Sequence, residues 1–358
     1  MLVFERVTPL SRLRRLHYML TSEQRESVGR SSSERAHDTT EEFMFRFETE
    51  TKVCEIGGVK FGGQPGEYPT VIVPSIFQKG DKVFEGKRKE GFDRERATEL
   101  VKMCDKLCME TGIPYMADIV GTKGEEFKSY IDFFTEATHM PFCVDAWAMK
   151  PKLDAAAYCA EKGLLDRMFY NSLTVWEKDL ETEIKEIASI GVKHVLLVAF
   201  DPDDQMPSGR ISGTQKLLDA IEKVGANFES LFVDTSAMNG PATALCSLAN
   251  KLIKEKWGFP CGSAPSNGSY MWKAAREMWG QKGWSGADAA LEALSSTLYH
   301  DMIFSGPMAG SDRIFPAVAM ADAFTATLVF GQTKKLPELE THPLRKLFPD
   351  FVEHLKSM

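Results

Sequence analysis

The sequence predicts an α/β protein whose main body is a (β/α)8 TIM barrel with an N-terminal β-hairpin, preceded by a disordered segment. Three observations carry this. From Thr70 onward, short apolar runs alternate with longer segments whose apolar residues fall at helical spacing, the grammar of successive βαβ units. Eight such runs can be counted without a domain linker between them, which favours a closed barrel over an open sheet. Several runs also end on a polar residue, as in Met116-Ala117-Asp118, Pro141-Phe142-Cys143-Val144-Asp145, Arg167-Met168-Phe169-Tyr170-Asn171 and Ser230-Leu231-Phe232-Val233-Asp234. The C-terminal ends of parallel strands are where barrels place their chemistry.

Residues 1–43 form a domain of their own kind. Their basic groups apart from histidine are all Arg, and Ser31-Ser32-Ser33 with mixed charges around it promises no packed core. Arg6, Arg12, Arg14 and Arg15 would suit a transit peptide, but Glu23, Glu26, Glu34 and Asp38 are too many acids for one. The composition favours Met44 as the true start and predicts disorder before it.

Residues 44–333 make the barrel domain. Lys52–Ile56 and Val59–Phe61 flank Gly57-Gly58, which can supply the positive φ of a tight hairpin turn, and the hairpin is expected to plug the bottom of the barrel. Gly62-Gly63-Gln64-Pro65-Gly66 reads as a turn, because no phosphate-loop pattern or helix follows it. The predicted strands are Thr70–Ile76, Tyr115–Val120, Phe142–Asp145, Arg167–Asn171, His194–Phe200, Leu231–Asp234, Pro260–Gly262 and Met302–Phe304. The predicted helices are Asp93–Gly112, Glu125–Glu136, Leu153–Gly163, Val175–Ile190, Gly213–Val224, Gly240–Lys256, Ala287–Thr297 and Ile314–Phe330, with Gly112, Gly163, Gly191 and Gly225 at helix ends. Ala317, Ala319, Ala321, Ala323 and Ala326 give the last helix a smooth surface suited to close packing on the barrel or on a second subunit of a homodimer. Residues 334–358 form a C-terminal tail with an amphipathic piece, Phe351–Leu355.

At 358 residues the chain exceeds the roughly 250 that one barrel needs, and 43% hydrophobic residues allow a sizeable core. No apolar run reaches the roughly 18 residues that would span a bilayer, so a soluble, cytoplasmic protein is expected. A net charge of −8 argues against a nucleic-acid footprint. The cysteines Cys54, Cys104, Cys108, Cys143, Cys159, Cys246 and Cys261 are odd in number and lack a CxxC, and they read as thiols in a reducing compartment. Cys104 and Cys108 share a helical face without a neighbouring His, so no metal site is expected.

On this reading the C-terminal rim presents Ser75, Asp118, Asp145, Asn171, Asp201, Asp234, Ser263 with Asn267, and Ser305. Carboxylates and carboxamides dominate, and Lys, His and Arg are scarce at the same positions. Carboxylates accept hydrogen bonds and Asn both donates and accepts, so the matching ligand is a flat, neutral heterocycle rich in N–H donors, and a pterin answers that description. An Asp closing a strand is often only a turn or capping residue, but three acids and an Asn on neighbouring strands weaken that alternative. Asp201-Pro202-Asp203-Asp204 reads better as a solvated turn.

Phe45-Arg46-Phe47-Glu48-Thr49-Glu50, Val53-Cys54-Glu55-Ile56-Gly57-Gly58-Val59, Gly62-Gly63-Gln64-Pro65-Gly66, Ser75-Ile76-Phe77, Tyr130-Ile131-Asp132-Phe133 and Tyr170-Asn171-Ser172 together resemble the family of the H subunit of tetrahydromethanopterin S-methyltransferase. The likeness covers nearly everything after the first segment. It extends to free-standing bacterial members that move a methyl group from a methylcorrinoid protein to tetrahydrofolate, as in glycine betaine demethylation. The resemblance implies methylcobalamin carried by a partner protein, tetrahydrofolate as substrate, no metal bound by this chain, and attack at N5 of the pterin. A more distant likeness to the corrinoid methyltransferases of the acetyl-CoA pathway puts an Asp, an Asn and an Asp on Asp145, Asn171 and Asp234. That family's Gly-Leu-Ser-Asn stretch falls on Gly262-Ser263-Ala264-Pro265-Ser266-Asn267, where the match departs at Ala264 and leaves the role of Asn267 open. The implied pterin contacts are Asp118, Asp145, Asn171, Asp234, Ser263 and Asn267, with Asp145, Asn171, Asp234 and Asn267 at the reacting end.

Three rivals stand beside this reading. A zinc-dependent methyltransferase needs a His with two Cys, or a comparable set, at the strand tips, and Cys143 and Cys261 have no partnering His. A dihydropteroate synthase uses Lys and Arg, and here no basic residue follows the seventh strand before Lys273. The third is a non-catalytic subunit or scaffold whose barrel only docks a partner, and a tetrahydromethanopterin methyltransferase subunit stands beside the synthase as another class of pterin-binding barrel.

Overall fold

A computed structural model of the chain describes residues 45–84 and 91–358, so the disorder expected of residues 1–43 lies outside the described residues. Strands β1 (Val53–Ile56) and β2 (Val59–Gly62) pair antiparallel across a turn in which Gly57 and Gly58 take φ of 55° and 84°. Positive φ at both central residues matches the right-handed twist of the flanking strands, and only glycine adopts it without a steric cost.

Eight parallel strands then close into a barrel. In chain order they are β3 (Val71–Ile76), β4 (Ala117–Val120), β5 (Phe142–Asp145), β6 (Met168–Thr174), β7 (His194–Val198), β8 (Ser230–Asp234), β9 (Cys261–Ser263) and β10 (Met302–Pro307), with β10 pairing back onto β3. The intervening helices are α1 (Arg94–Thr111), α2 (Gly124–Ala137), α3 (Met149–Glu161), α4 (Leu180–Ile190), α5 (Pro207–Val224), α6 (Ala242–Trp257), the short α7 (Pro265–Met271), α8 (Ala274–Thr297) and α9 (Ser311–Thr333). The tail folds as α10 (Pro343–Leu347) and α11 (Pro349–Lys356). This is the TIM barrel with a hairpin that the alternation of apolar runs predicts.

The boundary differences have local causes. Helix α5 starts at Pro207 rather than Gly213, because its early glycines serve contact rather than propensity. A Cβ on Gly213 would sit 3.1 Å from the Ala199 carbonyl oxygen, so the glycine lets the helix approach the end of β7. Helix α8 begins thirteen residues earlier than its apolar spacing predicts and breaks at Gly280 (φ 64°, ψ −179°). Helix α7 has no counterpart among the predicted helices, since Pro265-Ser266-Asn267-Gly268 carries turn residues only.

Two apolar layers hold the fold. The larger lies between strands and helices and includes Ile72, Ile119, Phe134, Val144, Tyr170, Leu197 and Phe315. The smaller fills the barrel, where Val71, Val73, Met116, Cys143, Phe169, Leu196, Phe232 and Met302 meet Cys54, Ile56, Val59 and Phe61 of the hairpin. The Phe61 ring stands edge-on to Phe232 at 5.3 Å, and Phe232 stands edge-on to Phe169 at 4.9 Å. The hairpin therefore plugs the N-terminal end and leaves the C-terminal mouth for the site.

Helix α9 and the turn before it, Met308–Thr333, are long and apolar enough by length and composition to cross a membrane. Here they serve as the eighth helical layer of the barrel. Asp322 of α9 accepts from the Thr70 amide at 2.7 Å, the Thr70 hydroxyl at 2.9 Å and the Ser296 hydroxyl at 2.6 Å, tying the start of β3 to α8 and α9.

Phe61→Ala removes the centre of the plug. We expect it to lower the unfolding free energy by about 3–5 kcal/mol, read from urea denaturation, because a fully buried ring leaves a cavity that the barrel wall cannot collapse to fill. A loss below about 1 kcal/mol would mean that the hairpin is not part of the core.

Candidate functional site

A strand's side chains alternate, so positions two apart share a face. The barrel interior takes Val73 of β3, Met116 just before β4, Cys143 of β5, Phe169 of β6 and Phe232 of β8. Two positions further on, the same inward side of each strand carries Ser75, Asp118, Asp145, Asn171 and Asp234. One period thus produces an apolar floor and, directly above it, a polar layer at the C-terminal mouth.

Pairing sets the neighbours in that layer. Ser75 lies beside Asp118, and Asp145 lies beside Asn171. Asn171 Nδ2 donates to Asp118 Oδ1 at 3.3 Å, joining strands β4 and β6 across β5. The Asn171–Ser172 peptide is cis, and the register of β6 against β7 shifts between Asn171 and Leu173. Ser75 is buried, and its hydroxyl finds no hydrogen-bond partner among the described residues. A buried hydroxyl without a partner in the protein is a group that a ligand or water satisfies.

Burial controls the charge of the layer. Burial is the largest cause lifting the Asp118 carboxyl well above the usual carboxylate range; Asp145 lifts it further, while hydrogen bonds from Asn171 and Cys143 pull it back. Asp145 is pushed up to about 6 by burial, against the pull of the Lys152 ammonium. Two neighbouring carboxyls cannot both be anions cheaply, so the pair holds a proton more firmly than separate carboxyls would, and the more buried Asp118 is the one raised further. Asp234 is pushed up to about 6, again by burial first, while the Ser236 amide and the Arg210 guanidinium oppose the shift. Ser236 N donates to Asp234 Oδ1 at 2.7 Å.

The basic groups scarce at the strand tips stand behind them. Lys152 of α3 reaches in beneath Asn171 and donates to the Ser172 carbonyl at 2.5 Å. Arg210 of α5, 1% exposed, donates from Nε to the Thr235 carbonyl at 2.5 Å and from Nη2 to the Ser236 carbonyl at 3.2 Å, which fixes the turn after Asp234. Neither residue is singled out by sequence. Lys152 is one of two lysines flanking Pro151 in an unremarkable helix start, and Arg210 sits between glycines that hide the first turns of α5.

Two of the six expected contacts lie elsewhere. Ser263 sits one position off the inward parity, is fully buried, and bonds through Oγ to His300 Nε2 at 2.8 Å, so its hydroxyl faces the helical layer and not the mouth. Its inward neighbour is Gly262. Asn267 is exposed on α7, outside the strand layer that holds Asp118, Asp145, Asn171 and Asp234. Of the wider rim, Asp201 lies beyond the end of β7 and accepts from Asp203 N at 3.0 Å with Lys216 at 3.7 Å, the solvated turn its sequence suggests. Among the described residues no group of three or more His, Cys, Asp and Glu is arranged to hold a metal.

Large apolar side chains surround the mouth. Trp147 after β5 is 96% exposed, and Trp176 after β6, Met206 after β7, Met238 after β8 and Trp272 after β9 are all exposed too. Exposed Trp and Met around one opening are the chemistry of a contact surface rather than of a free rim.

A family model described as the tetrahydromethanopterin S-methyltransferase MtrH subunit matches residues 49–332. The H subunit of tetrahydromethanopterin S-methyltransferase from Methanopyrus kandleri is 32% identical over 316 residues, covering 82% of this chain and 96% of the relative. The same subunit of Methanosarcina barkeri is 32% identical over 324 residues, covering 85% of this chain and 100% of its own length. A protein of Methanosarcina mazei, the H subunit of the putative methyltransferase mtx, is 30% identical over 317 residues, covering 85% of this chain and 100% of its own. Among solved structures, dihydropteroate synthase of Xanthomonas albilineans with 4-aminobenzoic acid superposes with a TM-score of 0.55 at 14% identity, covering 77% of this chain and 99% of that one. A Yersinia pestis dihydropteroate synthase in a sulfonamide complex gives 0.53 at 12% identity, covering 77% of this chain and 100% of that one. At those identities the structural likeness shows the barrel fold alone.

The charge of the layer is testable through stability. Asp234 titrates near 6 folded against an ordinary 3.8, so the folded state binds the extra proton between those values. Stability from this group is complete below the lower value and is lost as pH rises through the higher one. Asp234→Asn has no such proton to lose. Relative to wild type it should gain about 2–3 kcal/mol in unfolding free energy between about pH 4 and pH 7. Urea unfolding at the two pH values checks this, and a constant difference would show that Asp234 is not a buried acid.

Proposed function

The chain belongs to the family of the H subunit of tetrahydromethanopterin S-methyltransferase, and we propose that it transfers a methyl group from a methylcorrinoid to N5 of a reduced pterin, with tetrahydrofolate as acceptor. The observation that carries this reading is the inward polar layer of Asp118, Asp145, Asn171 and Asp234 above a closed apolar floor. Such a layer offers acceptors to the amino and ring N–H groups of a pterin and an amide to its carbonyl.

The reaction is a displacement. The N5 lone pair forms the new N–C bond as the carbon–cobalt bond breaks, the bonding pair stays with cobalt, and the N5 proton leaves. The residues of this chain would hold the ring with N5 in line and exposed to the incoming methyl carbon. Orientation of that kind can remove roughly 7–11 kcal/mol of barrier. Asp145 and Asp234 as anions favour the positive charge that develops at N5, and the Asp118–Asp145 pair is a nearby proton store. No covalent link to the protein is required.

The methylcobalamin belongs to a partner protein on this reading. The exposed Trp147, Trp176, Met206, Met238 and Trp272, on the loops after β5 to β9, support docking of a large corrinoid-bearing face on this end of the barrel. A homodimer is proposed through α9. Its residues Ala319, Ala321, Ala323 and Ala326 are buried within the chain, whereas Met320, Phe324 and Leu328 form an exposed stripe at i, i+4 and i+8 that a second copy would cover.

The methanogen relatives point to a second choice of pterin, tetrahydromethanopterin, which shares the ring and differs in the tail. The full-length protein, supplied with methylcobalamin and tetrahydrofolate without added metal, should consume methylcobalamin with a visible spectral change. Activity only with tetrahydromethanopterin would reassign the acceptor, and inactivity with both would remove the methyl-transfer reading. Asp145→Ala, Asn171→Ala and Asp234→Ala should each weaken pterin binding about tenfold or more by calorimetry, the loss of one charged or amide hydrogen bond. Unchanged affinity in all three would reject the site.

A further inference from the structure

Behind Asp145 and Asn171 lies a buried charged group that the proposed chemistry does not use. Lys152 of α3 and Glu183 of α4 form an ion pair at 2.8 Å with side chains 5% and 1% exposed. The Tyr170 hydroxyl donates to the same Glu183 oxygen at 2.6 Å, and the Lys152 ammonium lies 5.1 Å from the centre of the Tyr170 ring. Its further bond, at 2.5 Å, is to the carbonyl of Ser172, the residue after Asn171. The second oxygen of Glu183 has no hydrogen-bond partner among the described residues.

A pair of this kind is a poor device for stability. Taking both ions out of water costs several kcal/mol each, and apolar side chains of the same volume generally serve the core as well or better. The cluster is also incompletely satisfied at Glu183. Its geometry makes sense in relation to what it faces: the ammonium is bonded to the backbone of β6 at the site and exerts its field on Asp145 of β5.

We propose that Lys152 is a positioning residue for the mouth: its ammonium anchors the Ser172 carbonyl, and so the strand that presents Asn171, while supplying the counter-charge for Asp145. Glu183 and Tyr170 hold Lys152 in place. The identity of the ligand rests on the pterin reading; the linkage between Lys152 and Asp145 does not. The charged and titratable groups facing Asp145 are Asp118 on β4, Cys143 on β5 itself and Lys152 from α3, with Glu183 and Tyr170 behind Lys152. Burial favours a protonated Asp145, and Lys152 is the charge that opposes it, Asp118 and Cys143 being neutral when protonated. The arrangement assigns opposite states to two neighbouring acids, a proton on Asp118 and a charge on Asp145.

The test reads Asp145 directly. In full-length, ligand-free protein carrying 13C-labelled aspartate, the Asp145 carboxyl resonance is identified by its loss in D145N and followed with pH. Wild type should titrate near pH 6, where burial and Lys152 balance. In K152Q/E183Q, which removes both charges and keeps an acceptor for Tyr170, the midpoint should rise by about one pH unit or more, as expected when a close opposite charge is withdrawn. The apolar pair K152M/E183L is read the same way if the first variant does not fold. E183Q alone, which leaves the ammonium in place, should produce no rise. A midpoint that stays at its wild-type value in the folded double variant overturns the proposal. Tetrahydrofolate affinity in the same double variant should fall about tenfold at neutral pH, a loss equivalent to one good ionic contact. A wild-type protein that binds neither tetrahydrofolate nor tetrahydromethanopterin would defeat the functional reading, with the midpoint still deciding the role of Lys152.

Discussion

Two carboxylic acids set next to each other in a water-poor barrel mouth constrain everything around them. Asp118 and Asp145 would repel as anions and would lose hydration, so each needs a specific environment. Asn171 and the Cys143 thiol face Asp118, and Lys152 faces Asp145. Arg210 opposes the upward shift of Asp234 as Lys152 opposes that of Asp145. Lys152 and Arg210 arrive from helices α3 and α5, outside the strand layer, which keeps cationic groups off the surface presented to a ligand.

The barrel makes that arrangement possible by separating two jobs along one strand period. Lower inward positions are apolar and meet the hairpin, whose Phe61 closes the stack of rings formed with Phe232 and Phe169. The next inward positions are polar and meet the mouth. Water is excluded from below by close packing and admitted only from above, so hydrogen bonds in the layer act in a low-dielectric cup where they are strongest and where an unfilled partner is most costly. Ser75, buried without a partner among the described residues, marks the point at which the protein leaves a bond for another molecule.

Much of this is legible in sequence because it depends on local periodicity. Asp118, Asp145, Asn171 and Asp234 each close an apolar run, and runs of that length in a β/α alternation have few ways to be arranged. Ser263 shows the limit of the same logic: it closes a run as they do, but the short β9 places it on the opposite parity, where His300 takes its hydroxyl. A one-residue error in where a three-residue strand begins reverses every side chain on it. Helix starts escape the same reading where Gly209 and Gly213 serve close approach to neighbouring backbone instead of helix propensity.

By itself the sequence determined the class of fold, the strand order implied by right-handed β/α connections, and the acid- and amide-rich character of the mouth, since each follows from the spacing of apolar and polar residues a few positions apart. Tertiary structure alone decided which of those acids are neighbours, which of them holds a proton, and that Lys152, Glu183 and Arg210 stand behind them. Those facts depend on distances between residues remote in the chain and on the exclusion of water from the space between them, and neither quantity is written in a local pattern.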